Sequence, residues 1–158
     1  MNCCVESNAP LAEPSQDGPR RGCLSCEGQS RSVSLRTALL MLKPELFDQV
    51  GESQYRFCSS PDCPVVYFSR ERSFTTEDLR VRVGLKEKDG PIPLCYCFGF
   101  SEQDVSEEIA AKGNTTIPQR IRALIKERMC ACEERNPSGG CCLGEVAKAV
   151  KRLMKEAT

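Results

Sequence analysis

Cys95-Tyr96-Cys97-Phe98-Gly99-Phe100-Ser101-Glu102-Gln103-Asp104 opens the stretch on which the fold turns; Cys130-Ala131-Cys132 and Asn136-Pro137-Ser138-Gly139-Gly140-Cys141-Cys142 close it. Six of the twelve cysteines in this 158-residue chain lie between positions 95 and 142, and the chain has no histidine. A buried metal here must rely on thiolate, with carboxylate or backbone oxygen as the alternatives. Thiolates select zinc, copper(I) or iron–sulfur clusters over magnesium or calcium.

The residues between these cysteines read as helices. Ser101 can cap one whose first turn places Asp104 at the positive end of the dipole. Val105 and Ile109 lie one turn apart on it, and Gly113 is its expected end. A second helix starts near Thr116, with Pro118 in its first turn and Ile117, Ile121, Leu124, Ile125 and Met129 along one side, a core pattern rather than a cofactor site. It delivers Cys130 and Cys132. The run Asn136 to Gly140 then makes a turn with enough glycine for close backbone approach and N–H donation to sulfur. A third helix runs from about 143 to 155, with Val146, Val150 and Leu153 on its apolar side. Cys97 and Cys142 are thereby expected just ahead of helix N-termini, where unpaired N–H groups favour anionic sulfur. By chemistry alone, four thiolates here suit a [2Fe–2S] cluster or a second zinc.

Upstream, two more thiol pairs stand at ligand spacing. Cys23-Leu24-Ser25-Cys26 lets one tight turn aim two sulfurs and nearby N–H groups at a tetrahedral ion. Cys58-Ser59-Ser60-Pro61-Asp62-Cys63 is flanked by Gln54-Tyr55-Arg56-Phe57 and Val65-Val66-Tyr67-Phe68, rich in the β-branched and aromatic residues that strands prefer. Strand, thiol-bearing turn, strand is the layout of a zinc ribbon, and Cys23, Cys26, Cys58 and Cys63 are expected to bind one structural Zn²⁺. Between the pairs, Leu35, Leu39, Leu40, Leu42 and Leu46 suggest a short helix that Pro44 limits. Leu79-Arg80-Val81-Arg82-Val83 alternates apolar and basic residues as a half-buried strand would, and 84–93 is a polar crossover.

The fold class is therefore α+β: a disordered tail at 1–22, a small zinc-ribbon-like β module at 23–90, and a helical cluster-binding module at 91–158. The tail carries Cys3-Cys4, read as exposed thiols. Lys+Arg and Asp+Glu are both 22, so no overall positive field points to nucleic acid. The longest purely apolar run, Ala38 to Leu42, is far below the roughly 18 residues of a membrane span, and membrane insertion is not expected. Met1 to Pro10 show no secretory signal, and a reducing cytoplasm makes metal binding a better account of so many thiols than disulfides. Without histidine no Cys–His nucleophile pair can form, and no enzymatic activity is expected.

Tyr55-Arg56-Phe57-Cys58, Cys63-Pro64-Val65-Val66-Tyr67-Phe68, Arg82-Val83-Gly84-Leu85-Lys86-Glu87, Cys95-Tyr96-Cys97 and Asn136-Pro137-Ser138-Gly139-Gly140-Cys141-Cys142 together resemble the N-terminal region of CopZ-type copper chaperones, a family of cluster-binding metallochaperones. The second half is also similar to the bacterioferritin-associated ferredoxin (BFD) type of [2Fe–2S] domain. The resemblance implies zinc at the first site and a [2Fe–2S] cluster at the second, held by Cys95, Cys97, Cys132 and Cys142. Cys130 competes with Cys132 for the third place and Cys141 with Cys142 for the fourth. Cys3, Cys4, Cys130 and Cys141 are then left over. Copper chaperones of this type carry a further copper domain with a Met-x-Cys-x-x-Cys loop, a motif that the 158 residues do not contain. The implied task is electron transfer and soft-metal handling, such as reduction of Cu²⁺ before transfer to a copper chaperone domain or a metal-transporting ATPase. The alternative is a non-redox module in which two zinc ions staple a surface that recognises another protein.

Overall fold

A computed structural model describes residues 22–158. The expected tail and the Cys3-Cys4 pair fall outside these residues, Gly22 apart.

The first half is built on one antiparallel sheet. Strands β1 (Ser30–Val33), β2 (Tyr55–Cys58), β3 (Val65–Phe68) and β4 (Ser73–Thr75) pair in chain order. Ser30 stands opposite Cys58, Phe57 opposite Tyr67, and the β3–β4 register shifts between Val65 and Tyr67. All four β3 residues are buried, as a central strand of aromatic and β-branched residues should be, whereas β2 leaves Arg56 partly open. Its guanidinium reaches along β1 to the hydroxyls of Ser30 and Ser32.

Helix α1 (Leu35–Met41) joins β1 to β2. Ser34 caps it, its Oγ accepting from the Thr37 N–H at 3.0 Å. Thr37, Ala38 and Met41 face inward, so the buried side is rotated away from the one the leucine spacing suggests, and Leu35 is exposed. A 3₁₀ helix, Pro44–Gln49, follows, in keeping with the limit Pro44 sets. The core beneath holds Ala38, Met41, Leu42, Tyr55, Phe57, Val66, Tyr67, Phe74, Leu79 and Val83.

Residues 79–83 do not form the expected strand. Leu79 makes one isolated bridge to Leu42, and Arg80 then turns to the end of α1, its N–H donating to the Met41 carbonyl and its Nε to that of Leu40. Arg82 donates to the carbonyls of Asp89 and Pro91. Both arginines latch backbone, and the alternation that suggested a strand records one side packed on α1 and one side wet.

The second half starts with a short hairpin, β5 (Pro93–Cys95) and β6 (Phe100–Ser101), then α2 (Glu102–Lys112), α3 (Ile117–Lys126), α4 (Cys132–Arg135) and α5 (Leu143–Glu156). Ser101 and Asp104 form a reciprocal capping box on α2, and Gly113 ends it in the left-handed region at φ +77°. On α3, Ile117, Ile121 and Ile125 are buried while Met129 lies beyond the helix end, 60% exposed. The helix stops at Lys126, and Arg128 reverses the chain at φ +59°, so Cys130 sits in a loop and Cys132 starts α4. Val105, Ile109, the three isoleucines, Val146 and Ala149 close a second core around Cys95, Cys132 and Cys142.

Candidate metal centres

Two quartets of thiols emerge from this fold. In the first, the Cys23–Cys26 turn is closed by the Glu27 N–H donating to the Cys23 carbonyl at 2.8 Å and the Cys23 N–H to that of Gly28 at 3.0 Å. Gly28 lies close against the facing turn, and a Cβ there, 2.0 Å from the Ser60 Oγ, would have to displace that hydroxyl from beside the Cys26 sulfur. That turn follows β2, whose last residue is Cys58, and returns through Cys63 into β3. Strand pairing therefore brings the two turns together: the Sγ atoms of Cys23 and Cys63 are 4.0 Å apart, and those of Cys26 and Cys58 are 3.7 Å apart. Four sulfurs at about 2.3 Å from a tetrahedral zinc would stand about 3.8 Å from one another. Among the described residues this is the group of potential ligands whose atoms all lie within 4.8 Å of one another.

Backbone N–H groups two residues on, at Gly28, Ser60 and Val65, are directed at the sulfurs of Cys26, Cys58 and Cys63. They favour the thiolate. Cys26 is exposed, and the Ser60 hydroxyl, followed by the Gly28 N–H, lowers its pKa to about 6. Burial pushes Cys58 and Cys63 up instead, the ordinary state of thiols in an apolar core without a cation to neutralise. Lys86 supports the second turn, its Nζ donating to the carbonyls of Ser60 at 2.7 Å and Cys63 at 2.9 Å. Spacing alone gave no sign of this role, since Lys86 arrives from the crossover between the two halves.

The second quartet is arranged differently. Cys95, Cys132 and Cys142 are buried and Cys97 is partly exposed. The sulfurs of Cys97 and Cys132 are 3.6 Å apart, while Cys142 neighbours both Cys132 and Cys95. The four gather in one place, Cys97 beside Cys132 and Cys142 beside both Cys132 and Cys95, but not as the mutually close set of the first site. Cys132, not Cys130, adjoins Cys97, because the reversal at Arg128 carries Cys130 past it. The Ala131 N–H donates to the Cys97 sulfur at 3.2 Å. Cys97 lies in the β5–β6 turn, four residues ahead of the α2 cap, and the helix start that faces it is that of the short α4, whose N-cap is Ala131, whereas Cys142 is itself the N-cap residue of α5. Burial, with neighbouring sulfur, raises Cys97 to about 12, and the Cys142 side chain brings Cys95 down to about 7.

The turn from Asn136 to Gly140 is fixed by Asn136 itself. Its Nδ2 donates to the Gly140 carbonyl and its Oδ1 accepts from the Ser138 N–H and hydroxyl. Gly140 lies against the Arg31 guanidinium rather than against sulfur. Cys141 is exposed, at the lip of a crevice of about 810 Å³ between the halves.

A family model described as a zinc binding domain of the CopZ type matches residues 20–80. The copper chaperone CopZ of Archaeoglobus fulgidus is 30% identical over 141 residues, covering 83% of this chain and 67% of that protein. The chain belongs to the CopZ family. Its first half is the zinc-binding domain of that family, and the protein is a metal-handling one. The X-ray structure of the A. fulgidus CopZ N-terminal domain is 28% identical with a TM-score of 0.68, covering 80% of this chain and 95% of that one. A match of that extent runs well past residue 80 and takes in helices of the second half together with the antiparallel sheet. Among the described residues no helix is long and apolar enough to cross a membrane.

Proposed function

We propose that this CopZ-family protein is a two-centre metalloprotein that moves electrons and handles copper or another soft metal in the cytoplasm. Cys23, Cys26, Cys58 and Cys63 hold Zn²⁺ as a structural ion. Cys95, Cys97, Cys132 and Cys142 hold a [2Fe–2S] cluster on a BFD-like helical scaffold. The observation that carries this reading is the contrast between the quartets: one whose sulfurs all lie within 4.8 Å of one another, matching a single tetrahedral ion, and a looser group of thiols in an apolar pocket, with Cys97 beside Cys132 and Cys142 beside Cys95, which suits a core of two irons.

The fit rests on the donor set. Four thiols without histidine suit a cluster with cysteine at both irons. When bound, such a cluster supplies one electron, enough to take Cu²⁺ to Cu⁺ while it is itself oxidised by one unit. The protein does the rest. The Ala131 N–H stabilises charge on the Cys97 sulfur, and the isoleucine and valine shell keeps water from Cys95, Cys132 and Cys142. Cys97, the partly exposed member, marks the edge through which an electron leaves. No substrate is turned over; the reduced ion passes to a copper chaperone domain or a metal-transporting ATPase.

Anaerobic purification with iron, zinc and acid-labile sulfide analysis, beside a visible spectrum before and after dithionite, tests this. The expected result is about two iron and two sulfide per zinc with a bleachable chromophore. Two zinc ions and no sulfide would overturn it in favour of a zinc-stapled protein-recognition module.

A further inference from the structure

We propose that Tyr67 is a positioning residue for the second cysteine centre, its buried phenol locking the sheet to the loop that delivers Cys142. Tyr67 is fully buried on β3, and its hydroxyl donates to the Pro137 carbonyl at 2.5 Å, across seventy residues of sequence. Burial holds that phenol well above its ordinary range, so it remains a donor at any working pH.

The placement matters because of what lies at either end. Tyr67 pairs with Phe57, the residue next to Cys58, and Cys63 lies two residues ahead of β3, so the phenol is rooted in the strands that flank the zinc-site turn. Pro137 lies between Cys132 and Cys142, in a loop with no ladder of its own. The Asn136 side chain fixes the internal shape of that loop but not where it sits relative to Cys95 and Cys97. Its location is set from outside, by Tyr67 at Pro137 and by the buried Thr37 hydroxyl donating to the Glu133 carbonyl at 2.6 Å. The opposite pair of thiols is tied in the same way: the Tyr96 hydroxyl, between Cys95 and Cys97, accepts from the Gly84 N–H at 2.7 Å and donates to the Arg82 carbonyl. Both ligand-bearing segments of the helical half thus take their positions from the zinc-bearing half. The iron readouts below rest on the cluster reading; the exchange readout does not.

The test compares Tyr67→Phe with wild type in the full chain, purified anaerobically. The variant is expected to keep its zinc. Iron release to a chelator and amide exchange at 138–142 should each accelerate about tenfold, the effect of one buried hydrogen bond. The visible circular dichroism of the cluster and its reduction midpoint should both move, while exchange in β2 and β3 stays as in wild type. Unchanged exchange at 138–142 with zinc retained overturns the proposal. So does loss of zinc from the variant, since the phenol would then be a support of the sheet itself. Wild-type protein without acid-labile sulfide would refute the cluster reading alone, because the exchange comparison is made on the polypeptide.

Discussion

Gly84→Ala puts the junction between the two halves under direct test. A Cβ at this position would stand 2.0 Å from the backbone carbonyl oxygen of Pro93, where real contacts do not fall below 3.0 Å. The clash is with backbone on both sides, so no side-chain rotation relieves it, and the crossover must lift away from β5. That movement stretches the bond from the Gly84 N–H to the Tyr96 hydroxyl, now 2.7 Å, beyond useful length. Overpacking of this kind costs about 1–3 kcal/mol and a lost hydrogen bond to a largely buried phenol about 1 more, giving about 3 kcal/mol in all. For a chain of this size that corresponds to a fall of about 6–12 °C in Tm. Thermal unfolding of the zinc-loaded protein, followed by far-UV circular dichroism, reads it directly. Gly144→Ala is the matched control: nothing lies within 4 Å of its Cβ in the first turn of α5, and alanine there should stabilise by about 0.5–1 kcal/mol. A Gly84→Ala protein melting within about 2 °C of wild type would refute the reasoning, because the halves would then be free to separate at this point without cost.

Lys86→Met removes both hydrogen bonds that one ammonium gives the Cys58–Cys63 turn, and zinc transfer to a colorimetric chelator should quicken about tenfold. In metal-free protein, alkylation of Cys26 by iodoacetamide should reach half its maximum near pH 6, and Ser60→Ala should move that midpoint toward the ordinary 9.0, since the Ser60 hydroxyl is the chief support of the thiolate. The capping box on α2 gives a pH dependence of defined sign. The Ser101 hydroxyl and N–H hold Asp104 below 3.8, so its stabilisation is complete above about pH 4 and is lost as pH falls through the lowered value. Asp104→Asn should cost about 1 kcal/mol at pH 7 in denaturant titrations, and the gap to wild type should close under acid.

Local chemistry was legible where it is written in neighbouring residues. Ser101, Asp104 and Gly113 bound α2 as read, because a cap needs only a hydroxyl, a carboxylate and a residue tolerant of positive φ at set offsets. The two thiol turns at 23–26 and 58–63 were legible for the same reason. Residues 79–83 were not: a strand and an extended segment packed on a helix share one alternation, and only the Arg80 bonds to Leu40 and Met41 separate them. Leu35 misled because α1 has only seven residues, too few for apolar spacing to define a face.

By itself, then, the sequence determined the kind of chemistry: sulfur without imidazole, grouped in pairs whose spacing can aim two thiols at one ion. Which pairs meet was decided in three dimensions. The β1–β2 register brings Cys23 and Cys26 onto Cys58 and Cys63, and the reversal at Arg128 sets Cys132 rather than Cys130 beside Cys97. The dependence of one half on the other was likewise invisible in the chain, because it runs through Tyr67, Thr37 and Tyr96, whose hydroxyls find backbone carbonyls between 14 and 96 residues away. Ligand spacing is a property of a few consecutive bonds, whereas convergence depends on packing that no local pattern encodes.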